Sequence, residues 1–322
     1  MLLIVSNSND FTADFLEKKI RDQGLPVFRF NTDTFPTSNS VLLKSSNKNS
    51  EDYLVGAGGE KVSLQDITCV WWRRPERIGE MVLDKIKDER VKKFTRYQME
   101  SGFEELTAVL SGSLNWVNHP DKNKLANSKL VQLRIASRLG FRTPNTLFSN
   151  DPCEVRNFFQ KNNGKIVYKS IKRPAFIFGD QMVGFYTSTV SENDVCQAES
   201  VKMAPVFLQE TIEKRLELRV TVVGQRVVAA SIDSQANKEG VIDWRRLSTE
   251  VGQWNSFELD SDTSQKCLKL TESLGLKFGA IDLAITQQDE IVFFEINPNG
   301  QWAWLEIGSE IPLSKFFIEL FY

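Results

Sequence analysis

The chain opens with an unbroken apolar run, LLIVS (2–6). Apolar residues then recur at helical spacing through FTADFLEKKIRDQG (11–24), which ends on a glycine, and PVFRF (26–30) follows as a second short run. This pattern predicts strand, helix, strand, the start of a doubly wound α/β unit. VLLKS and DYLVG predict hairpin strands, and ITCVWWRRP (67–75) a strand closed by Pro75. From Glu76 to Leu110 the period is mostly helical. These elements make up a first stretch, 1–120.

A second stretch, 121–204, begins with a helical period over NKLANSKLVQLRIASRLG (123–140), with Gly140 beyond its end. TPNTLF (143–148) predicts a strand, and DPCEVRNFFQKN a helix capped by Asp151. KIVYKS (165–170) and MVGFYTST (182–189) read as strands. The third stretch, 205–322, is mainly strands: PVFLQE, LELRVTVVG, QRVVAASID, FGAIDLAI and EIVFFEIN, with helices near 262–274 and 312–320. The fold class is therefore α/β, turning to α+β in the C-terminal part. No internal repeat or low-complexity linker interrupts it.

Charge narrows the function. With 40 basic and 42 acidic residues, the chain lacks the excess that draws proteins to nucleic acid or membrane surfaces. The opening MLLIVSNSNDF has no basic n-region and reads as a first strand, not a signal peptide. Cys69, Cys153, Cys196 and Cys267 form no C-x-x-C pair, so neither zinc nor a disulfide framework is indicated, and a reduced, cytoplasmic protein is expected. His119, the single histidine, lies in a turn-rich segment and reads as structural. GAGGEK (56–61) superficially suggests a phosphate loop, but KVSLQDITCV after it looks like strand where such a loop needs a helix. A glycine hairpin turn fits better.

The informative positions are carboxylates on apolar strands. FGAIDLAI puts Asp282 inside one strand, where a charge is expensive unless it is paired or metal-bound. EIVFFEIN puts Glu295 and Asn297 near the end of another, and the short polar TQQDE makes the two a hairpin. Glu295 and Asn297 share a face by period-two alternation. Three oxygen donors carrying two charges suit Mg²⁺. Edge-strand acids facing water are the other reading of the same residues.

The order Lys129, Lys169, Glu210, Glu217, Arg219, Asp282, Glu295, Asn297 resembles that of the ATP-grasp ligases. NSKLVQLRIASRLGFRTPNT is similar to the opening of that superfamily's central domain, QETIEKRLELRVTVVGQRVVAA to its adenine hinge and following hairpin, and GAIDLAI with FFEINPNG to its metal-binding end. Within the superfamily the chain resembles the microviridin-type peptide macrocyclases, or graspetide ligases, in FRFNTDTFP (28–36), VWWRRP (70–75), GFYTS (184–188), DWRR (243–246) and EINPNGQWAW. It departs from many superfamily members in 170–184, where a glycine-rich phosphate loop is replaced by a segment with only Gly179 and Gly184.

The resemblance implies an ATP-grasp fold preceded by an N-terminal α/β domain: 1–120 as that domain, 121–204 as the central subdomain, 205–322 as the C-terminal subdomain with hinge and metal site. It implies that Lys129 and Lys169 bind ATP phosphates, that Glu210 and Ile212 line the adenine hinge, and that Glu217 accepts from the ribose. Asp282, Glu295 and Asn297 would hold Mg²⁺. Arg219 would face the γ-phosphate and reacting carboxylate, with Arg219 or Arg245 serving a tetrahedral oxyanion and Arg74 a substrate carboxylate. The implied partner is a ribosomal precursor peptide, with a leader docking near the LELRVTVVG–QRVVAASID hairpin and an acidic core reaching the metal. The implied reaction closes ester or amide rings between its side chains, and a homodimer is left open. Two other readings stand beside it: a ligase joining an amino acid or small amine to a protein or metabolite, and a non-catalytic peptide-binding module.

Overall fold

The structure is a computed structural model describing residues 1–45, 51–75, 78–110, 114–171, 176–178, 181–183, 186–236, 240–244 and 254–322. The N-terminal part contains β1 (Leu2–Ser6), α1 (Phe11–Asp22), β2 (Val27–Asn31), β3 (Ser40–Leu42), β4 (Tyr53–Val55), β5 (Lys61–Ser63), β6 (Cys69–Trp72), α2 (Glu80–Leu83), α3 (Glu89–Leu110) and β7 (Asn115–Val117). Strands β2-β1-β6-β7 form a parallel sheet in that order, as the opening βαβ pattern predicts. Strands β3, β4 and β5 form an antiparallel sheet, and the glycine-rich 56–61 segment is its β4–β5 turn, with Gly59 at φ +82°. That conformation favours glycine and settles the phosphate-loop question.

The central part contains α4 (Pro120–Ala126), α5 (Lys129–Arg138), β8 (Thr146–Ser149), α6 (Pro152–Lys161), β9 (Ile166–Tyr168), β10 (Phe176–Phe178), β11 (Gln181–Val183), β12 (Ser188–Thr189), α7 (Glu192–Cys196) and β13 (Val206–Glu210). The single helix expected over 123–140 is two helices, broken at Asn127 and Ser128. Short polar side chains compete for the backbone and favour caps over helix interiors, and Ser128 takes an extended conformation before α5. Asp151 caps α6 as expected, accepting from the Cys153 amide at 2.8 Å. β13, grouped with the C-terminal stretch on sequence, instead pairs with β8 and β9 in the sheet β12-β9-β13-β8.

The C-terminal part contains β14 (Lys214–Val223), β15 (Arg226–Ile232), β16 (Asn255–Phe257), α8 (Ser261–Ser273), β17 (Phe278–Thr286), β18 (Ile291–Asn297), α9 (Ala303–Ser309) and α10 (Leu313–Phe321). Its antiparallel sheet runs β16-β15-β14-β17-β18. One core joins the two ends of the chain: Leu2, Ile4, Trp71 and Val117 pack with Val223, Phe278, Trp302 and Phe317. A second core lies between the other sheet face and helices α5 and α8. The central sheet has its own small core, built from Val155, Ile166, Ala198, Val201 and Leu208.

Candidate active site

Arg219 on β14, Asp282 on β17 and Glu295 on β18 stand in one row, Arg219 opposite Asp282 and Asp282 opposite Glu295. Directly opposed residues of antiparallel strands share a face. The β17–β18 register slips just past this row: Leu283 is opposite Phe293, leaving Phe294 as an extra residue. Phe293 and Leu283 are fully buried in the core beneath. Without the bulge, alternation from Phe293 would send Glu295 into that core. The extra residue reverses the phase and brings Glu295 to the face of Asp282. Asn297 follows on that face, opposite Ala280.

These residues line a cavity of about 450 Å³ together with Arg74, Arg219 and Trp304. Arg219 donates to Asp282 Oδ1 at 2.7 Å and to the Gln301 carbonyl at 3.3 Å. Lys129, the first residue of α5, forms an ion pair with Glu295. Among the described residues no cluster of three or more His, Cys, Asp or Glu forms a metal cage. Two opposed carboxylates and an amide oxygen instead fit Mg²⁺, which keeps several waters and takes phosphate oxygens alongside a few protein ligands.

A second pocket adjoins the first and shares Asp282 and Trp244 with it. Lys169, Glu210, Ile212 and Glu217 line it, at the junction of the central and C-terminal sheets. The Lys169 ammonium lies 4.8 Å from the Phe294 ring centre, so the bulge residue also faces this pocket. Glu210 accepts from the Asn145 amide at 2.5 Å. Burial pushes the Glu217 carboxyl above its ordinary value, against the pull of Lys214, whose ammonium is 2.7 Å away. The sequence reading missed Lys214, Asp243 and Trp244. Asp243 accepts from Thr187 Oγ1 at 3.2 Å, tying the C-terminal part to β12. The DWRR motif was the available signal for Asp243 and Trp244. Arg245, next in that motif, lies outside the described residues, as do Gly179 and Gly184.

The two arginines of VWWRRP separate as alternation requires: Arg74 lines the cavity, and Arg73 is wholly buried beside Asp10. Trp71 packs on Phe317 and Phe321, Trp72 on Phe103 and Trp116. Trp302 stacks on Phe317 in the shared core, whereas Trp304 meets Trp244 and Trp254 at the cavity wall. His119 caps α4, accepting from the Asp121 amide.

A parallel α/β sheet, then two antiparallel sheets meeting over a pocket lined by Lys169 and Lys214 together with Glu210, Glu217 and Asp282, is the architecture of an ATP-grasp ligase. The chain belongs to the RimK-like ATP-grasp family: residues 126–320 match the RimK-like ATP-grasp domain, and residues 1–124 match the MvdD pre-ATP grasp domain. Macrocyclase MdnC from Microcystis aeruginosa MRC, solved with precursor peptide MdnA, is 32% identical and superimposes with a TM-score of 0.89, covering 100% of this chain and 99% of that one. The Chryseobacterium gregarium RiPP-associated ATP-grasp ligase, solved with ADP and a leader and core peptide, is 30% identical with a TM-score of 0.90, covering 99% and 96%. The tetrahydromethanopterin:alpha-L-glutamate ligase of Methanocaldococcus jannaschii is 25% identical over 113 residues, 35% of this chain and 37% of that protein. No described helix is long and apolar enough to cross a membrane.

Proposed function

We propose that this ligase uses ATP and Mg²⁺ to activate Asp or Glu side chains of a ribosomal precursor peptide as acyl phosphates, then closes side-chain ester or amide rings. The observation that carries the reading is the joining of two pockets at Asp282. One is lined by Lys169, Glu210, Ile212 and Glu217, the residues this reading assigns to the nucleotide. The other sets Arg74 and Arg219 beside the paired carboxylates. A peptide carboxylate is already a nucleophile at neutral pH, so the protein has mainly to position it and stabilise charge. Arg74 and Arg219 are the forked cations suited to hold it. Lys129 and Lys169 would draw the phosphates in, and Mg²⁺ held by Asp282, Glu295 and Asn297 would neutralise their charge. Attack of a peptide hydroxyl or amine on the acyl phosphate releases phosphate and forms the ring bond, and Arg219 is our candidate donor to the oxyanion.

β17 flanks β14 along its length, whereas β16 pairs with only Ala229, Ala230 and Ser231 of β15. A leader docking there would meet the hairpin's faces, its turn or the part of the β15 edge that β16 does not cover. The decisive experiment incubates the purified chain with ATP, Mg²⁺ and a precursor peptide encoded beside it, and reads intact peptide mass. Loss of one water per ring supports the reading. Mass gain by a free amino acid instead would favour the second reading, to which the match with the glutamate ligase lends support.

A further inference from the structure

The turn from Asn297 to Gln301 is held from outside its own sheet. Arg73, at the end of β6, donates from Nη1 to the carbonyls of Asn299 and Gly300 at 2.5 and 3.0 Å. Its Nη2 donates to Gln301 Oε1 at 2.7 Å, and its Nε lies 3.1 Å from Asp10 Oδ2. The Arg73 and Asp10 side chains are both 0% exposed. Asn118, just past β7, donates to the Pro298 and Phe278 carbonyls at 3.0 and 2.9 Å. Asp10, Arg73 and Asn118 thus sit at the carboxyl ends of β1, β6 and β7, the edge where open parallel sheets bind ligands. Here that edge grips the chain's own turn. The turn is also pressed against the site: a Cβ on Gly300 would fall 2.4 Å from Ala280 Cβ and 2.6 Å from Arg219 Nη2.

We propose that Arg73, locked by Asp10, is a positioning residue for the metal end of the site. It fixes the backbone carbonyls two and three residues past Asn297, and so holds the Asn297 amide beside Asp282 and Glu295 and the Gln301 carbonyl on Arg219. The proposal rests on the reading of Asp282, Glu295 and Asn297 as the Mg²⁺ site. The fork explains the residue type. A lysine would keep the charge facing Asp10 but could not span two carbonyls and an amide oxygen at once. Arg73 lines neither cavity, so its contacts reach the site through the turn.

The test is calorimetric titration of ADP into the full chain, with and without Mg²⁺, alongside melting temperature. It compares wild type, Arg73→Lys, and the double variant Asp10→Leu with Arg73→Met. The double variant is included because apolar residues can replace a buried ion pair with little loss of stability. ADP affinity without metal should be unchanged in both variants. The gain in affinity that Mg²⁺ brings should fall about tenfold or more, the usual cost of losing a partner behind metal ligands. Arg73→Lys should melt close to wild type. An unchanged Mg²⁺-dependent gain in the folded variants overturns the proposal and leaves Arg73 as a tie between domains. A wild type whose ADP affinity ignores Mg²⁺ overturns the metal reading itself, and the proposal with it.

Discussion

Arg219 and Asp282 form a 2.7 Å ion pair across β14 and β17, with both side chains less than a tenth exposed. Next to it stands the pair of Lys129 and Glu295. Each carboxylate that would hold the metal therefore already faces a cation before nucleotide or metal arrives. Buried charges demand such matching.

Removing one partner of the Arg219–Asp282 pair strands a buried charge. Asp282→Ala should lower unfolding free energy by about 3–5 kcal/mol as well as abolish ring closure. Pairing Asp282→Leu with Arg219→Met should recover most of the stability and none of the activity. Glu295→Gln should stay folded and lose turnover. Urea titration and peptide mass separate these effects, and near-normal turnover in folded Glu295→Gln would remove that residue from the metal site.

Lys129 and Glu295 are 24% and 16% exposed, so their pair is partly screened by water and stabilises the fold less than the more deeply buried Arg219–Asp282 pair. Lys129→Met should lower the melting temperature less than Asp282→Ala does. It should weaken ADP binding by about 1.5–3 kcal/mol, the range for hydrogen bonds to charged groups. Calorimetry showing wild-type affinity would sink the phosphate assignment.

The pH dependence should reveal Asp10. Burial would raise its carboxyl, but Arg73, the Ser6 hydroxyl, Arg74 and the Ala13 amide together hold it below its ordinary 3.8. A depressed carboxylate contributes stability above its unfolded value and loses it as pH falls through the folded one. Asp10→Asn should therefore cost most near neutrality, about 3–5 kcal/mol for a broken buried pair. The gap to wild type should shrink as pH falls below 3.8. Melting curves from pH 7 to about 3 test this, and a gap that stays constant would contradict it.

Trp302 and Trp304 are two residues apart and should behave differently. Trp302→Ala empties a fully buried, stacked position and should cost about 3–5 kcal/mol. Trp304 is half-buried at the cavity wall, so Trp304→Ala should spare most of that stability and slow peptide modification. Equal melting losses with unchanged closure per folded enzyme would assign both to the core.

Much of this site could be read from the chain. Asp282 stood out because a carboxylate interrupts an apolar strand, and Glu295 and Asn297 because period two puts them on one face. Period two also separates the neighbours Arg73 and Arg74, and Arg74, the one expected at a substrate carboxylate, is the one that lines the cavity. What stayed hidden was non-local or off-period. The Phe294 bulge breaks no composition rule, and it shows only once Phe293 is seen buried against Leu283. The break at Asn127–Ser128 is masked by the helical residues around it. β13 joins the central sheet through pairings with β8 and β9 that sequence order does not encode. Gln301 and Asn118 matter through contacts with residues far along the chain.

The arrangement of cores has a mechanical consequence. Because Leu2, Ile4 and Trp71 share packing with Phe278, Trp302 and Phe317, the N-terminal sheet and the C-terminal sheet cannot swing apart without tearing one interior. The central sheet keeps a small interior of its own but is joined to the C-terminal sheet by Phe207 of β13, which packs in the second core, and by the three residues between β13 and β14. Ile212 lies in that three-residue link and lines the second pocket. Anything seated in that pocket therefore touches the central and the C-terminal sheet at once.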